Sequence, residues 1–204
     1  QTSIRLAAFR VLKRTLITDA TLEPTQVAGF NQFFDDLNQT EAWRYGIGID
    51  QKIGRNLFAG MEFSMRDLKI PVIRPAPPPI TVNRVDAKEY QARNYLFWTP
   101  HPWLALRSGD VFERSDNTPP PNRNIKVSTH RVPLGINVFH PSGWSSSLTT
   151  TYYHQSGTFL RSPFFQSGSD DFWTVDAAIN YRLPMRYGFI TLGAANLSDN
   201  RFKY

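Results

Sequence analysis

Residues 173–183 read WTVDAAINYRL, and their parity decides the fold. Trp173, Val175, Ala177, Ile179, Tyr181 and Leu183 take the odd positions; Thr174, Asp176, Ala178, Asn180 and Arg182 take the even ones. On an α-helix the two sets would mix around the axis. On a strand, where successive side chains point to opposite faces, they separate into an apolar face and a polar one. The segment is a strand.

The same period extends outward through the chain. Trp43, Tyr45, Ile47, Ile49 and Ile53 alternate with Arg44, Gly46, Gly48, Asp50 and Lys52. Leu57, Ala59, Met61, Phe63 and Met65 alternate with Gly60, Glu62, Ser64 and Arg66, and Val132, Leu134, Ile136 and Val138 with Arg131, Pro133, Gly135 and Asn137. Weaker runs lie at Tyr90–Trp98 (against Glu89, Gln91, Arg93 and Tyr95), at Trp144–Tyr152 and at Ile190–Ala194; another starts at Leu104 and Leu106 and loses its alternation at Ser108 and Asp110. Residues 3–16 and 23–35 read as extended without a consistent face. The sum is about ten strands of roughly 10–14 residues, about twice the globular mean and near the 9–11 that a tilted transmembrane strand needs.

Composition removes other classes. The 204 residues are 41% hydrophobic, 20% charged and 14% aromatic, with a mean hydropathy of −0.39. No apolar run approaches the ~20 residues of a membrane-spanning helix, and 15 Pro with 12 Gly argue against a helical bundle. Low hydropathy is compatible with a transmembrane barrel, whose strands give half their side chains to a polar interior. With no cysteine, disulfide frameworks, thiolate metal sites and cysteine nucleophiles are excluded. The net charge of +6 is spread along the chain instead of gathered in a stripe, so nucleic acid is not an expected partner.

Connection lengths alternate. Short turns fall at 53–56, 99–102, 140–143 and 184–188; longer polar stretches fall at about 36–41, 68–88 (with Pro75–Pro79), 114–127 (with Pro119–Pro121) and 157–171. Short turns on one side and long loops on the other are the pattern of outer-membrane barrels. Trp98, Trp103, Trp144, Tyr181 and Tyr187 cluster about the short turns, while Trp43 and Trp173 sit at the opposite strand ends. Such rings settle where hydrocarbon meets headgroup, so they are the expected lipid-interface aromatics. The expected fold is an all-β, antiparallel up-and-down transmembrane β-barrel, with residues 1–204 as one barrel region. Counting strands through a turn near 17–22 places both Gln1 and Tyr204 on the long-loop side. That predicts a strand missing at each end and a parent barrel of at least about twelve strands, since complete bacterial barrels keep an even number and both ends periplasmic.

Val175–Tyr204 resembles the C-terminal barrel region of TonB-dependent receptors, in which a penultimate strand runs into an Asn-Leu-x-Asp-x-x-(Tyr/Phe) segment. Asn196, Leu197, Asp199 and Phe202 match it, and Ser198 stands where an aromatic is common. Ile4–Arg10 is similar to receptor barrel strands at a weaker level. The resemblance implies an outer-membrane location and one further strand ending in an aromatic. Residues 1–204 contain no plug domain, and the loops are short for a receptor of iron-chelate size, so active transport by this chain alone is not implied.

The functional residues are expected on the inward face: Arg44, Asp50, Lys52, Glu62, Arg66, Arg93, Arg107, Arg131, Asp176, Asn180 and Arg182. A charge facing lipid at mid-bilayer costs ~2–4 kcal/mol, so these side chains should line the lumen and set selectivity, or pair across strands and stiffen the wall. No catalytic sequence motif appears. His101, His130, His140 and His154 are scattered; His154 with Ser156 or Ser162 would make a lipase only if a Ser–His pair formed on the outer wall. Asp35, Asp36, Asp116, Asp170 and Asp171 read as solvated loop carboxylates, with a cation site at Asp35, Asp36 and Asn38 conceivable. No enzyme, metal or cofactor is expected. The reading is the wall of a Gram-negative outer-membrane channel or transporter for a small solute. Its partners are the lipid bilayer and a plug domain or periplasmic protein. The alternative is a structural barrel, a sheath or anchor for a partner protein in an export or electron-conduit complex. A soluble β-sandwich or lectin-like binder is the third reading.

Overall fold

The computed structural model describes residues 1–13, 26–31, 36–74, 81–117, 126–161 and 164–200. The turn expected near 17–22, both proline runs, Asp35, Ser162 and Phe202 lie outside them. Eleven strands are described: β1 (Thr2–Leu12), β2 (Gln26–Val27), β3 (Phe30–Asn31), β4 (Glu41–Ile53), β5 (Leu57–Arg74), β6 (Thr81–His101), β7 (Leu104–Asn117), β8 (Lys126–Phe139), β9 (Trp144–Arg161), β10 (Phe164–Arg182) and β11 (Phe189–Ala194). Nine of them form one antiparallel sheet in the order β1-β4-β5-β6-β7-β8-β9-β10-β11, and β2 and β3 form a separate small hairpin. From β4 onward each strand pairs with the next in sequence, an up-and-down meander. The sheet is open, with β1 and β11 at its two edges.

Period-two patterning explains the sheet. In register, Gly48, Glu62, Arg93, Val111, Arg131 and Tyr153 follow one another across six strands, and one row over so do Ile47, Phe63, Ala92, Phe112, His130 and His154. A shift by one residue in any strand would exchange its faces. The ladder between β7 and β8 skips the level of Gly109 and Asp110, where Pro133 has no N–H to give. There is one layer only. Among the described residues the buried apolar side chains are Phe30, Ala42, Leu68 and Ala87, while Ile47, Trp173 and Ile179 are each about half exposed (52%, 48% and 51%). A packed two-sheet core would bury all three.

Three expectations are corrected. First, residues 23–35 are not a tenth wall strand. β1 pairs directly with β4, from Thr2↔Gln51 to Leu12↔Glu41, so no strand stands between them, and among the described residues of the intervening segment, 26–31 form the β2–β3 hairpin outside the main sheet. Second, Gln1 lies on the short-turn side: its amino group donates to the Lys52 carbonyl at 3.1 Å and its carbonyl accepts from Lys52 N–H at 2.8 Å. The count that placed it opposite assumed that absent strand. Third, much of the expected long loops is strand. β5 and β6 run 18 and 21 residues, and β9 and β10 run 18 and 19. The earlier alternation ends in these extensions, because in β5 the apolar parity switches to Leu68, Ile70 and Val72 and in the others no face stays apolar, but backbone pairing does not depend on side chains and continues.

Candidate functional site: the polar face and its cavities

Register places all eleven expected inward residues on one face. In β4 these are Arg44, Asp50 and Lys52, opposite Arg66, Gly60 and Phe58 of β5; Glu62 of β5 faces Arg93 of β6. Arg107, Arg131, Asp176, Asn180 and Arg182 continue the same parity through β7, β8 and β10. Parity alone found them.

Glycines on this face let long side chains reach past the neighbouring strand. Arg5 of β1 crosses Gly48, where a Cβ would lie 2.9 Å from its Nη2. Its Nε donates to Asp50 at 3.0 Å and its guanidinium approaches Glu62, two strands away, at 3.5 Å. Tyr95 crosses Gly60 and its hydroxyl donates to Asp50 at 2.6 Å. Arg107 crosses Gly135 and donates to Thr149 of β9 at 2.6 Å. A larger residue at any of these glycines would block the bridge.

The carboxylates are shared between cations. Glu62, with a side chain 12% exposed, takes Arg93 at 3.1 Å as well as Arg5. Arg66 holds Asp36 and Glu89, the latter at 2.6 Å, and Glu113 receives Arg131 at 3.2 Å and Gln91 at 2.9 Å. Arg44, buried, donates to Ser64 at 2.9 Å. Lys52 lies 5.3 Å from the Phe58 ring centroid, within cation–π range. Asp176 accepts the Asn196 N–H at 2.8 Å, and Asn180 accepts from Thr191 at 2.7 Å.

The β2–β3 hairpin lies on this polar face. Phe30, fully buried, covers Gly46 so closely that a Cβ there would overlap its ring; Arg5 stands 5.4 Å from the ring centroid and donates to the Gly29 carbonyl at 3.3 Å. Two cavities open on the polar face, the larger of them against the hairpin at Gln26 and Gly29. One of about 480 Å³ is lined by Asp36, Arg44, Arg66, Glu89, Gln91 and Glu113. The other, about 640 Å³, has Arg5, Glu62, Arg93, Tyr95, Phe97 and Arg107 in its wall. Sequence reasoning missed Arg5, Phe30, Tyr95, Glu89 and Thr149. The legible signal was the glycine run on the polar parity of β4 and β5, which announces side chains lying across them.

The opposite face is apolar and exposed. Ile4, Leu6, Met61, Phe63, Leu134, Leu148 and Leu192 are 43–76% exposed. Five expected interface aromatics, Trp43, Trp98, Trp144, Trp173 and Tyr181, share that face; Trp103 and Tyr187 are exposed in the turns beside it. Rings pair across strands, Trp144 with Tyr181 at 4.6 Å and Tyr152 with Trp173 at 5.0 Å. Level with and beyond Trp43 and Trp173, charges appear on this face: Lys88 near Asp67, which is opposite Trp43, Glu41 between Arg10 and Arg84, and Asp171 accepting from Tyr152. Between the rings Asn94, Ser108, Asp110 and His130 interrupt it, with His130 Nε2 2.5 Å from Asp110. His154 engages Asp171 at 2.7 Å through Nδ1. Asp36 of the conceivable cation site is taken by Arg66.

Comparison with known proteins adds no name: no protein-family model matches the sequence, and neither the curated proteins nor the solved structures give a match. The class defined by the fold is an all-β protein built on one open nine-stranded antiparallel meander with one apolar and one charged face.

Proposed function

We propose that this chain is part of the wall of an outer-membrane β-barrel through which a small solute passes, of the kind the Val175–Tyr204 resemblance to TonB-dependent receptors suggests. The observation that carries the reading is the division of one sheet into an exposed apolar face bounded by two rows of rings and a face of networked charges. Water would leave that apolar face unsatisfied: monomeric soluble proteins rarely expose continuous apolar patches beyond a few hundred Å². Acyl chains satisfy it. Trp173 and Tyr181 are eight residues apart on β10, about 26 Å at ~3.3 Å per residue, and a barrel tilt near ~40° makes this about 20 Å along the membrane normal, short of but comparable with the ~25 Å apolar band of such proteins. The free edges of β1 and β11 call for further strands to close the wall, because an unpaired edge is a template for aggregation.

The paired charges favour a second role for the same face. Arg5, Arg66, Arg93 and Arg131 spend their charge on neighbouring carboxylates, which suits a stiff sheath around a partner as well as a selective pore. Liposome swelling separates the two. Proteoliposomes of the barrel should swell in isotonic small sugars or organic acids if solute passes; swelling no faster than protein-free liposomes would leave the sheath. A chain that stays folded and monodisperse in plain buffer would remove both.

A further inference from the structure

Arg107 differs from the other arginines in the larger cavity by what it lacks. Arg5 and Arg93 lie against carboxylates; among the described residues Arg107 has hydroxyl company only, donating through Nη2 to Thr149 Oγ1. A guanidinium carries five N–H donors in a planar fork, and that bond uses one. The fork is fixed in place, since Gly135 opposite it leaves room for the side chain to lie flat: a Cβ there would come within 2.7 Å of the Arg107 Cγ. The nearby carboxylates are engaged. Glu62 takes Arg5 and Arg93, Asp50 takes Arg5 and Tyr95, and Asp176, in register with Thr149, takes a backbone N–H.

The rest of the cavity wall is of a different kind. Phe97 faces Arg107 directly across the β6–β7 ladder and is 46% exposed. Its ring centroid lies 5.4 Å from that of Tyr95, and the Thr151 hydroxyl is on the far wall. About 640 Å³ falls in the range of small-molecule sites, which are mostly apolar with a few fixed polar groups. We propose that this cavity binds a small organic acid, an aryl carboxylate. Its carboxylate sits on the free side of the Arg107 fork, the geometry in which Arg recognises carboxylates, and its flat body lies against Tyr95 and Phe97. Inorganic phosphate would use the arginine and leave the rings idle. Arg107 is then the anchor, with Gly135 and Thr149 positioning it.

This inference rests on the solute-passage reading, and its test does not. The full chain refolded in detergent micelles is titrated with benzoate, followed by isothermal titration calorimetry and saturation-transfer NMR. Saturable binding is expected; Arg107→Gln should weaken it about tenfold or more, as loss of a charge-assisted hydrogen bond does, and Arg107→Lys should fall between. Gly135→Ala, which displaces the fork without removing its charge, should also weaken binding. Arg55→Gln, in the β4–β5 turn, should leave it unchanged. Benzamide, neutral and of the same shape, should bind wild type and Arg107→Gln equally and weakly. Equal benzoate affinity in wild type and Arg107→Gln, no saturable binding at all, or phosphate binding as tightly as benzoate would overturn the proposal. A protein that passes solutes in liposomes yet ignores benzoate defeats this site alone; one that binds benzoate without solute passage defeats the passage reading and keeps the site.

Discussion

Gly60 shows how single positions shape the polar face. Tyr95 lies where a Cβ of residue 60 would be and reaches Asp50 only because that Cβ is missing. Gly60→Ala should therefore cost about 1–3 kcal/mol, the usual penalty of overfilling a packed site. Gly193→Ala, whose Cβ would meet nothing nearer than 3.8 Å, should stay within ~0.5 kcal/mol of wild type. Thermal unfolding in detergent measures both; equal midpoints for the two variants would mean that Tyr95 and Asp50 hold nothing together. At this scale the sequence was legible in parity and illegible in reach. Arg44, Glu62, Arg93 and Arg107 were assignable by counting in twos, but which carboxylate each arginine meets depends on strand register and on glycines in the strand between. Arg5 was hidden altogether, because Ile4 to Arg10 carries Ala7 and Phe9 on the polar parity and so shows no clean face.

The outer strand extensions carry charge pairs that respond to pH. Asp171 is held below the usual carboxylate range by the Tyr152 hydroxyl and by His154, and Asp116 by its hydrogen bonds from Arg114. Both are depressed in the folded state, so the stability they lend is present above the ordinary carboxylate pKa and is lost as pH falls through the lower folded values. Lowering the pH from 6 to 3 should therefore reduce amide protection factors (exchange rates corrected for the intrinsic pH dependence) in the outer parts of β7, β9 and β10 before it touches the run from Trp173 to Arg182. Uniform loss along β10 would contradict that. These extensions were also where sequence reading stopped early. Alternation switches parity at Asp67 and Lys69, where Leu68, Ile70 and Val72 take the other face, and ends at Arg114 and Asp116 and again at Asp170 and Asp171, where both faces are polar. Backbone pairing, which leaves no trace in hydropathy, continues to Arg74, Asn117 and Arg161.

At the largest scale the described residues form one nine-stranded sheet with two incompatible surfaces and a small hairpin on the polar one, and function turns on which medium meets which surface. The antiparallel strands and the shared parity of the eleven charged and polar residues were readable from local period. The pairing of β1 with β4 was not, nor was the packing of Phe30 over Gly46, a long-range contact with no local pattern. Since the chain has no cysteine, single Cys substitutions give clean labels. Ile47→Cys and Ile179→Cys are compared with Lys52→Cys and Asn180→Cys in protein reconstituted into lipid vesicles. Residues 47 and 179 should react with a lipid-soluble maleimide and resist a charged, membrane-impermeant one; residues 52 and 180 should show the reverse. Equal reaction of all four with the charged reagent would contradict a sheet whose apolar face is covered by acyl chains.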